Sequence, residues 1–301
     1  MISISSKEIE TIVDHALQIL EKEGCIYQSG NALSLLSYHG CRIEEKNYRA
    51  YIPSQKMKEI LNRLSAKPSV QPRLMSGYAR MFLDILDKKK KPGTMEEAKK
   101  IAVFSSDIKN LEIVSLGTEP YDVKQNLQSF LACDLLLRYT KKSFWVDTLS
   151  PETVKNILEM AAIASGSYKN LQQTPRIYGI IELQSPFSYS ASHLEILDMY
   201  AKNQQTVCLK SCYNFAQPIP PQGLISLQIA EWLAGIFYIY ATNCPCPVCV
   251  QLPSFPFGSK AGYYQSILDY LSYQCIALQV LERFAIPVIA PVIPALGLGF
   301  L

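Results

Sequence analysis

Asp147, Glu182 and Gln251 each stand at or near the end of a short apolar run, and Tyr213 and Phe215 follow another. Carboxylates and rings meeting at one mouth suit a methylated ammonium ion. Such a cation lacks N–H donors and is held by ring quadrupoles and a nearby negative charge. The same rings can also serve as loop packing, and composition leaves both readings open. Cys244, Cys246 and Cys249 form C-x-C-x-x-C, a spacing that invites zinc or an iron–sulfur cluster. No fourth ligand lies near and prolines and valine separate the thiols, so these cysteines are expected to pack as small apolar groups with no metal bound. The histidines offer no triad: His15 falls in the first helix, His39 in a turn and His193 at a helix start. Neither a phosphate-cradling glycine loop nor H-E-x-x-H occurs.

The elements that must position these residues follow a regular rhythm. Runs rich in Val, Ile and aromatic residues begin at Ile113, Phe144, Arg176, Val207, Pro247 and Pro287, 31 to 40 residues apart, each followed by a helix-length amphipathic stretch. That spacing predicts parallel strands joined by helical crossovers. The fold class expected is α/β, an incomplete TIM-type (β/α) barrel of about six strand-helix units over residues 111–301. A doubly wound sheet is the alternative, but no G-x-G-x-x-G follows any of these strands. In such a barrel the working groups lie at the C-terminal strand ends, which places Thr118, Glu119, Asp147, Thr148, Glu182, Gln184, Ser185, Ser211, Gln251 and Ser254 there. Trp145, Phe187, Phe255 and Phe257 accompany them. Six strands leave two open edges where eight would close, so an incomplete chain, an exchange with a partner or an unstable product is expected.

Ahead of the barrel, residues 1–68 are expected to form a helical N-terminal region. Ser5 and Glu8 have capping-box spacing, Ile9, Ile12, Val13, Ala16, Leu17 and Leu20 form an apolar stripe, and Gly24 ends it. Further helices are expected near 31–38 and 54–65, with an extended piece near 48–52. Residues 69–110 are expected to hold a connector and a helix leading into the barrel, capped by Thr94 and Glu97, with Lys88 to Lys91 as a solvated linker.

Composition narrows the function classes. The chain is 49% apolar and 18% charged, with 29 Lys+Arg against 26 Asp+Glu and a net charge of +3. It is globular rather than disordered, and it lacks the concentrated basic stripe that nucleic-acid binding requires. Nine cysteines without a basic-then-apolar leader argue for a reducing cytoplasmic setting. The apolar stretch from Leu224 to Ala241 carries Gln228 and Glu231 and is expected as a buried helix. The stretch from Ala285 to Leu301 holds Pro287, Pro291 and Pro294 and cannot run as one spanning helix. No membrane partner is expected.

Several stretches resemble the trimethylamine methyltransferase (MttB-like) superfamily of corrinoid-dependent methyltransferases. "HALQILEKEG", "ALSLLSYHGCRIE" and "YIPSQKMKEIL" are similar to its opening helices, and "KPGTMEEAKKIAVFSSDIKNLEIV" to its approach to the barrel. "LQSPFSY" resembles its Ser-Pro-Leu loop, with Ser185 and Pro186 in the matching places. "AQPIPPQGLISLQIAEWLAG" resembles its Ala-Pro-Val loop and following helix, with Pro218, Gly223, Glu231 and Gly235 matching. The chain departs from the pattern at Pro220, Pro221 and Gln222, and where Ser266, Ile267, Leu268 and Asp269 replace a glycine-rich turn.

The resemblance implies methyl transfer from a methylated amine, of trimethylamine or glycine betaine type, to the cobalt of a corrinoid on a separate protein. No cofactor is then bound directly, and a homo-oligomer is possible. It assigns no catalytic residue within this chain. The amine contacts expected from strand-end position alone are Asp147, Glu182, Tyr213, Phe215 and Gln251. In the methylamine branch an in-frame amber codon encodes pyrrolysine shortly after the sixth strand. Three readings of the end at Leu301 therefore stay open: that codon taken as a stop, a frameshifted or decayed gene, and a shorter protein that binds without catalysis.

Overall fold

The structure is a computed structural model that describes residues 3–66, 73–77, 81–84, 88–148, 150–184, 186–212, 221–244, 246–252 and 267–291. Helix α1 (Ser6–Lys22) starts where the sequence places it. The Ser5 hydroxyl accepts the Glu8 N–H while Glu8 Oε2 accepts the Ser5 N–H at 2.7 Å, and the stripe Val13, Ala16, Leu17 and Leu20 is buried. Gly24 follows with φ +68°, and a Cβ there would meet the Ala50 carbonyl oxygen at 2.6 Å, so only glycine fits. Beyond it come β1 (Cys25–Tyr27), α2 (Gly30–Tyr38), β2 (Arg42–Glu44), β3 (Arg49–Tyr51) and α3 (Ser54–Ser65). The expected helices are present. Of the three short strands among them, the sequence pattern foreshadowed only β3.

The stretch expected as connector and solvated linker carries more structure than its composition implied. It contains β4 (Arg73–Met75) and a hairpin of β5 (Met81–Asp84) with β6 (Lys89–Pro92). The lysine run is thus largely a strand. Antiparallel pairing satisfies its backbone groups while Lys89 and Lys90 stay in solvent. Helix α4 (Met95–Asp107) begins at a complete Thr94/Glu97 capping box.

From there strands and helices alternate as the spacing predicts. The order is β7 (Ile113–Val114), α5 (Gln125–Tyr139), β8 (Ser143–Phe144), α6 (Pro151–Ala164), α7 (Tyr168–Gln173), β9 (Tyr178–Gln184), β10 (Ser188–Tyr189) and α8 (Ala191–Lys202). The rest is β11 (Thr206–Cys212), α9 (Pro221–Ala241), β12 (Val248–Gln251), α10 (Ile267–Arg283) and β13 (Val288–Pro291). The main sheet runs β2-β3-β1-β10-β9-β11-β12-β13-β4-β7-β8 and is largely parallel.

The expected open edge of β13 is occupied. It pairs with β4 through Ile289↔Arg73, Ala290↔Leu74 and Pro291↔Met75, and β4 in turn pairs with β7. At the other end the ladder stops at β8. One parallel bridge, Phe144↔Ile177, with the Phe144 N–H donating to the Arg176 carbonyl at 2.8 Å, joins β8 to the start of β9. The sheet is curled, but among the described residues no continuous ladder closes it.

Alternation along these strands separates two cores. Val114, Phe144, Ile181, Leu183, Val207, Leu209, Val250 and Val288 join the large core under the helices. Their neighbours Ile113, Tyr178, Cys208, Cys249 and Ile289, with Met75, form a smaller cluster inside the curl, and Trp145 and Ile180 pack on it. The second cluster marks a lumen. Helix α9 is long and apolar enough to cross a membrane, but 89% of its apolar window is buried and it packs on α1, α2, α3, α10 and β11 as a core helix, as its sequence led us to expect.

Candidate functional site

Two residues beyond the lumen cluster on each strand, the same face turns polar. Parallel pairing sets Lys210 beside Glu182 on one side and beside Gln251 on the other. Because Ile180, Cys208 and Cys249 lie in the lumen cluster, period two puts Glu182, Lys210 and Gln251 on the lumen face, at the C-terminal strand ends. Lys210 Nζ donates to Glu182 Oε1 at 2.5 Å, with the side chains 31% and 48% exposed, so the pair is reachable from outside. Gln251 Oε1 is buried with no hydrogen-bond partner among the described residues. This layer offers a cation, an anion and an amide above an apolar floor.

At the far end of the lumen, Arg73 Nη1 donates to the Tyr178 hydroxyl at 2.6 Å. Burial raises the Tyr178 pKa further than the arginine beside it lowers it. On the side wall, Trp145 Nε1 donates to the Ser76 carbonyl at 3.2 Å, and the Ser76 and Ser115 hydroxyls lie 3.2 Å apart. These contacts pin the indole whose ring packs on the lumen cluster.

Of the five amine contacts expected from strand-end position, Asp147, Glu182 and Gln251 are among the described residues. Glu182 and Gln251 stand in the lumen layer. Asp147 lines a cavity of about 100 Å³ with Glu119, Gln125, Gln128 and Trp145, between the ends of β7 and β8 and the start of α5, where its carbonyl accepts the Ser129 hydroxyl at 2.7 Å; Trp145 is shared with the lumen's side wall. Tyr213, Phe215, Ser185, Pro218, Ser254, Phe255 and Phe257 lie outside the described residues. The three cysteines of C-x-C-x-x-C also part company, since Cys249 faces the lumen while Cys244 and Cys246 pack on the helix-side core.

The family-motif residues that are described form a brace behind the mouth. Glu231 is wholly buried on α9 and its Oε1 accepts the N–H of Phe187, the residue after Pro186 in the β9–β10 turn. Its carbonyl accepts the Tyr189 hydroxyl at 3.2 Å, and Gly235, one turn on, lets that tyrosine approach the helix. Gly223 lies on the surface near His15 and Gln18.

Two members of the mouth were not singled out from sequence. Lys210 had a signal available, a charge in the middle of an apolar strand. His193 opens α8 as expected, but it also sits close enough to Glu182 to feel its charge. Burial lowers the His193 pKa from 6.5 and the carboxylate pulls it partly back; its Nδ1 has no hydrogen-bond partner among the described residues. A histidine held neutral in the folded chain contributes stability that is complete above 6.5 and is lost as pH falls toward its folded value. Urea-unfolding midpoints should therefore drop between about pH 7.5 and pH 5.5, and His193→Gln should flatten part of that slope. An unchanged slope would mean that other groups carry the pH dependence.

Residues 1–255 match the family model described as trimethylamine methyltransferase (MTTB). The glycine betaine methyltransferase of Desulfitobacterium hafniense (strain Y51) is 24% identical over 277 residues, covering 86% of this chain and 57% of that protein. The chain thus spans little more than half the length of this curated relative. The crystal structure of the Methanosarcina barkeri monomethylamine methyltransferase superposes with a TM-score of 0.59 at 10% identity, over 96% of this chain and 62% of that one. The structure of its hydroxylamine complex gives the same values. At that identity the likeness concerns the fold.

Proposed function

The chain belongs to the trimethylamine methyltransferase (MTTB) family, and on that premise we propose that it binds a methylated amine at the lumen mouth and passes one methyl group to a corrinoid on a separate protein. The observation that carries this reading is the polar layer of Glu182, Lys210 and Gln251 at the C-terminal strand ends, above an apolar floor and open to solvent. Glu182 holds the ammonium centre by charge. The indole of Trp145 and the apolar floor shed water from its methyl groups. Cobalt(I) on the partner supplies the electron pair that forms the Co–C bond, while the pair of the broken C–N bond stays with the departing amine. This chain's residues bind and orient the amine so that a methyl group faces outward, and the cytosol is the setting its thiols suit.

Adding a methylated amine and the chain to a Co(I) corrinoid protein should convert the cobalt to its methylated form, read from its visible spectrum. Binding without conversion would favour the rival reading, a protein that holds the amine and does not transfer its methyl group. Separately, Glu182→Ala should weaken binding of the amine about tenfold or more by calorimetry, the worth of one charged contact at a partly shielded site. Unchanged affinity would remove Glu182 from the site.

A further inference from the structure

The hairpin of β5 and β6 is rooted at the lumen mouth. Strands β4 and β7 run parallel to those that carry Glu182, Lys210 and Gln251, so their C-terminal ends lie at the same end of the lumen. The chain leaves β4 at that end, where the Ser115 hydroxyl donates to the Gly77 carbonyl at 2.8 Å. It returns from the hairpin at Gly93, which bridges to Pro120 beyond β7 and whose carbonyl accepts the Tyr121 N–H at 2.9 Å. A Cβ on Gly93 would lie 2.5 Å from the Glu119 carbonyl oxygen, so this foot of the hairpin is held tightly. On that support Lys88, Lys89 and Lys90 stand exposed in succession. Residues 84–91 hold four lysines against two aspartates, a surplus of positive charge. The carboxylates at the hairpin's exit are engaged elsewhere: Glu96 pairs with Lys100, Glu97 caps α4, and Asp122 accepts the Met95 N–H at 2.9 Å.

We propose that Lys88, Lys89 and Lys90 form the docking surface for the corrinoid protein, and that this partner presents an acidic patch beside its cobalt. The proposal rests on the reading of the chain as a methyltransferase that acts through a separate corrinoid protein. It adds where the partner lands and which charge it carries. A methyl group passes only when the cobalt comes within bonding distance of the mouth, so the partner must cover the rim from which the hairpin rises. Charges on such a rim act chiefly on encounter: opposite potentials steer the partner, raise the association rate and lose their effect as salt is added. A carrier that docks, takes a methyl group and leaves is served by contacts of this weak and rapid kind rather than by a large apolar interface. The patch lacks the extended basic stripe that nucleic acid would require.

Methyl transfer by the whole 301-residue chain to two acceptors, a Co(I) corrinoid protein and free cob(I)alamin, tests this, with trimethylamine and glycine betaine offered as donors. Changing Lys88, Lys89 and Lys90 together to Gln should raise the corrinoid protein concentration needed for half-maximal rate about three- to thirtyfold at low salt. It should also flatten the salt dependence of that rate and leave transfer to free cob(I)alamin as it was. Changing the three to Glu should cost more than the neutral change. The control alters Lys109, Lys141 and Lys169 to Gln; these are exposed near the starts of β7, β8 and β9, at the opposite end of the lumen, and both acceptors should be unaffected. Transfer from the unaltered chain to the corrinoid protein that is indifferent to salt would overturn the proposal, and needs no variant to fold. So would a Gln variant that melts normally and either keeps its rate with the corrinoid protein or loses both acceptors equally. If free cob(I)alamin is methylated and the corrinoid protein is not, the docking surface falls while the methyl-transfer reading stands; if neither is methylated, that reading falls and the proposal with it. Release of the chain from phosphatidylglycerol vesicles by the same substitutions, with transfer unchanged, would assign the lysines to a membrane and overturn the proposal.

Discussion

Replacing Trp232 with alanine is expected to lower the unfolding free energy by about 3–5 kcal/mol, the range for emptying an aromatic from a packed core. Trp232 is fully buried midway along α9, the helix that touches α1, α2, α3, α10 and β11. A void there opens at the meeting of the N-terminal helices and the sheet, where rigid elements on several sides prevent collapse. The indole N–H has no hydrogen-bond partner among the described residues, so Trp232→Phe removes an unsatisfied donor along with some volume and should cost far less than Trp232→Ala. Urea unfolding of the two variants checks both. A loss below about 1 kcal/mol for Trp232→Ala would mean that the helix relaxes into the gap.

Gly235→Ala should destabilise by about 1–3 kcal/mol even though alanine favours a helix over glycine by about 1 kcal/mol. The new Cβ would lie 2.2 Å from the Tyr189 hydroxyl oxygen and 2.6 Å from Leu209 Cδ1. Tyr189 cannot easily retreat: its ring stacks on Tyr27 at 5.4 Å and its hydroxyl donates to the Glu231 carbonyl. The displacement would pass to the β9–β10 turn, where Glu231 holds the Phe187 N–H, and so toward the mouth at Glu182. Amine affinity should fall with stability. Gly30→Ala is the control, since nothing lies within 4 Å of its added Cβ, and it should be neutral or slightly stabilising. If the two alanine variants melt alike, the close approach of α9 and Tyr189 is not a constraint.

These expectations bear on what the matching motifs do. Glu231 and Gly235 lie well inside the protein and brace a turn, while the groups that face the lumen at the strand ends are Glu182, Lys210 and Gln251. The brace fixes the end of β9, and with it Glu182. A family resemblance carried by "LQSPFSY" and "LISLQIAEWLAG" therefore speaks first for the scaffold that positions the mouth. On the function proposed above, the layer of side chains that the scaffold presents is what meets the substrate.

Local chemistry was enough to mark many elements from the residues alone. The Ser5/Glu8 and Thr94/Glu97 boxes start α1 and α4, and the apolar stripe of α1 is buried as its period requires. The runs at 113, 144, 176, 207, 247 and 287 are parallel strands because helix-length crossovers separate them. Each of these signals sits within a dozen or so residues, where hydrogen bonds and side-chain period act directly. Tertiary structure alone decided the rest. Arg73–Met75 is too short to read as a strand, and it becomes one because the edge of β13 supplies partners. Period two shows that Cys208 and Lys210 share a face, but only the register between β9 and β11 sets Lys210 beside Glu182, 28 residues away in the chain. The path from β9 through β10 into α8 brings His193 close enough to that carboxylate to feel its charge, and the packing of α5 on the ends of β7 and β8 forms the cavity that Asp147 lines. Sequence period fixes which way a side chain points; which distant charge it meets depends on how the strands pack and pair, a property of the folded sheet that no short window of residues contains.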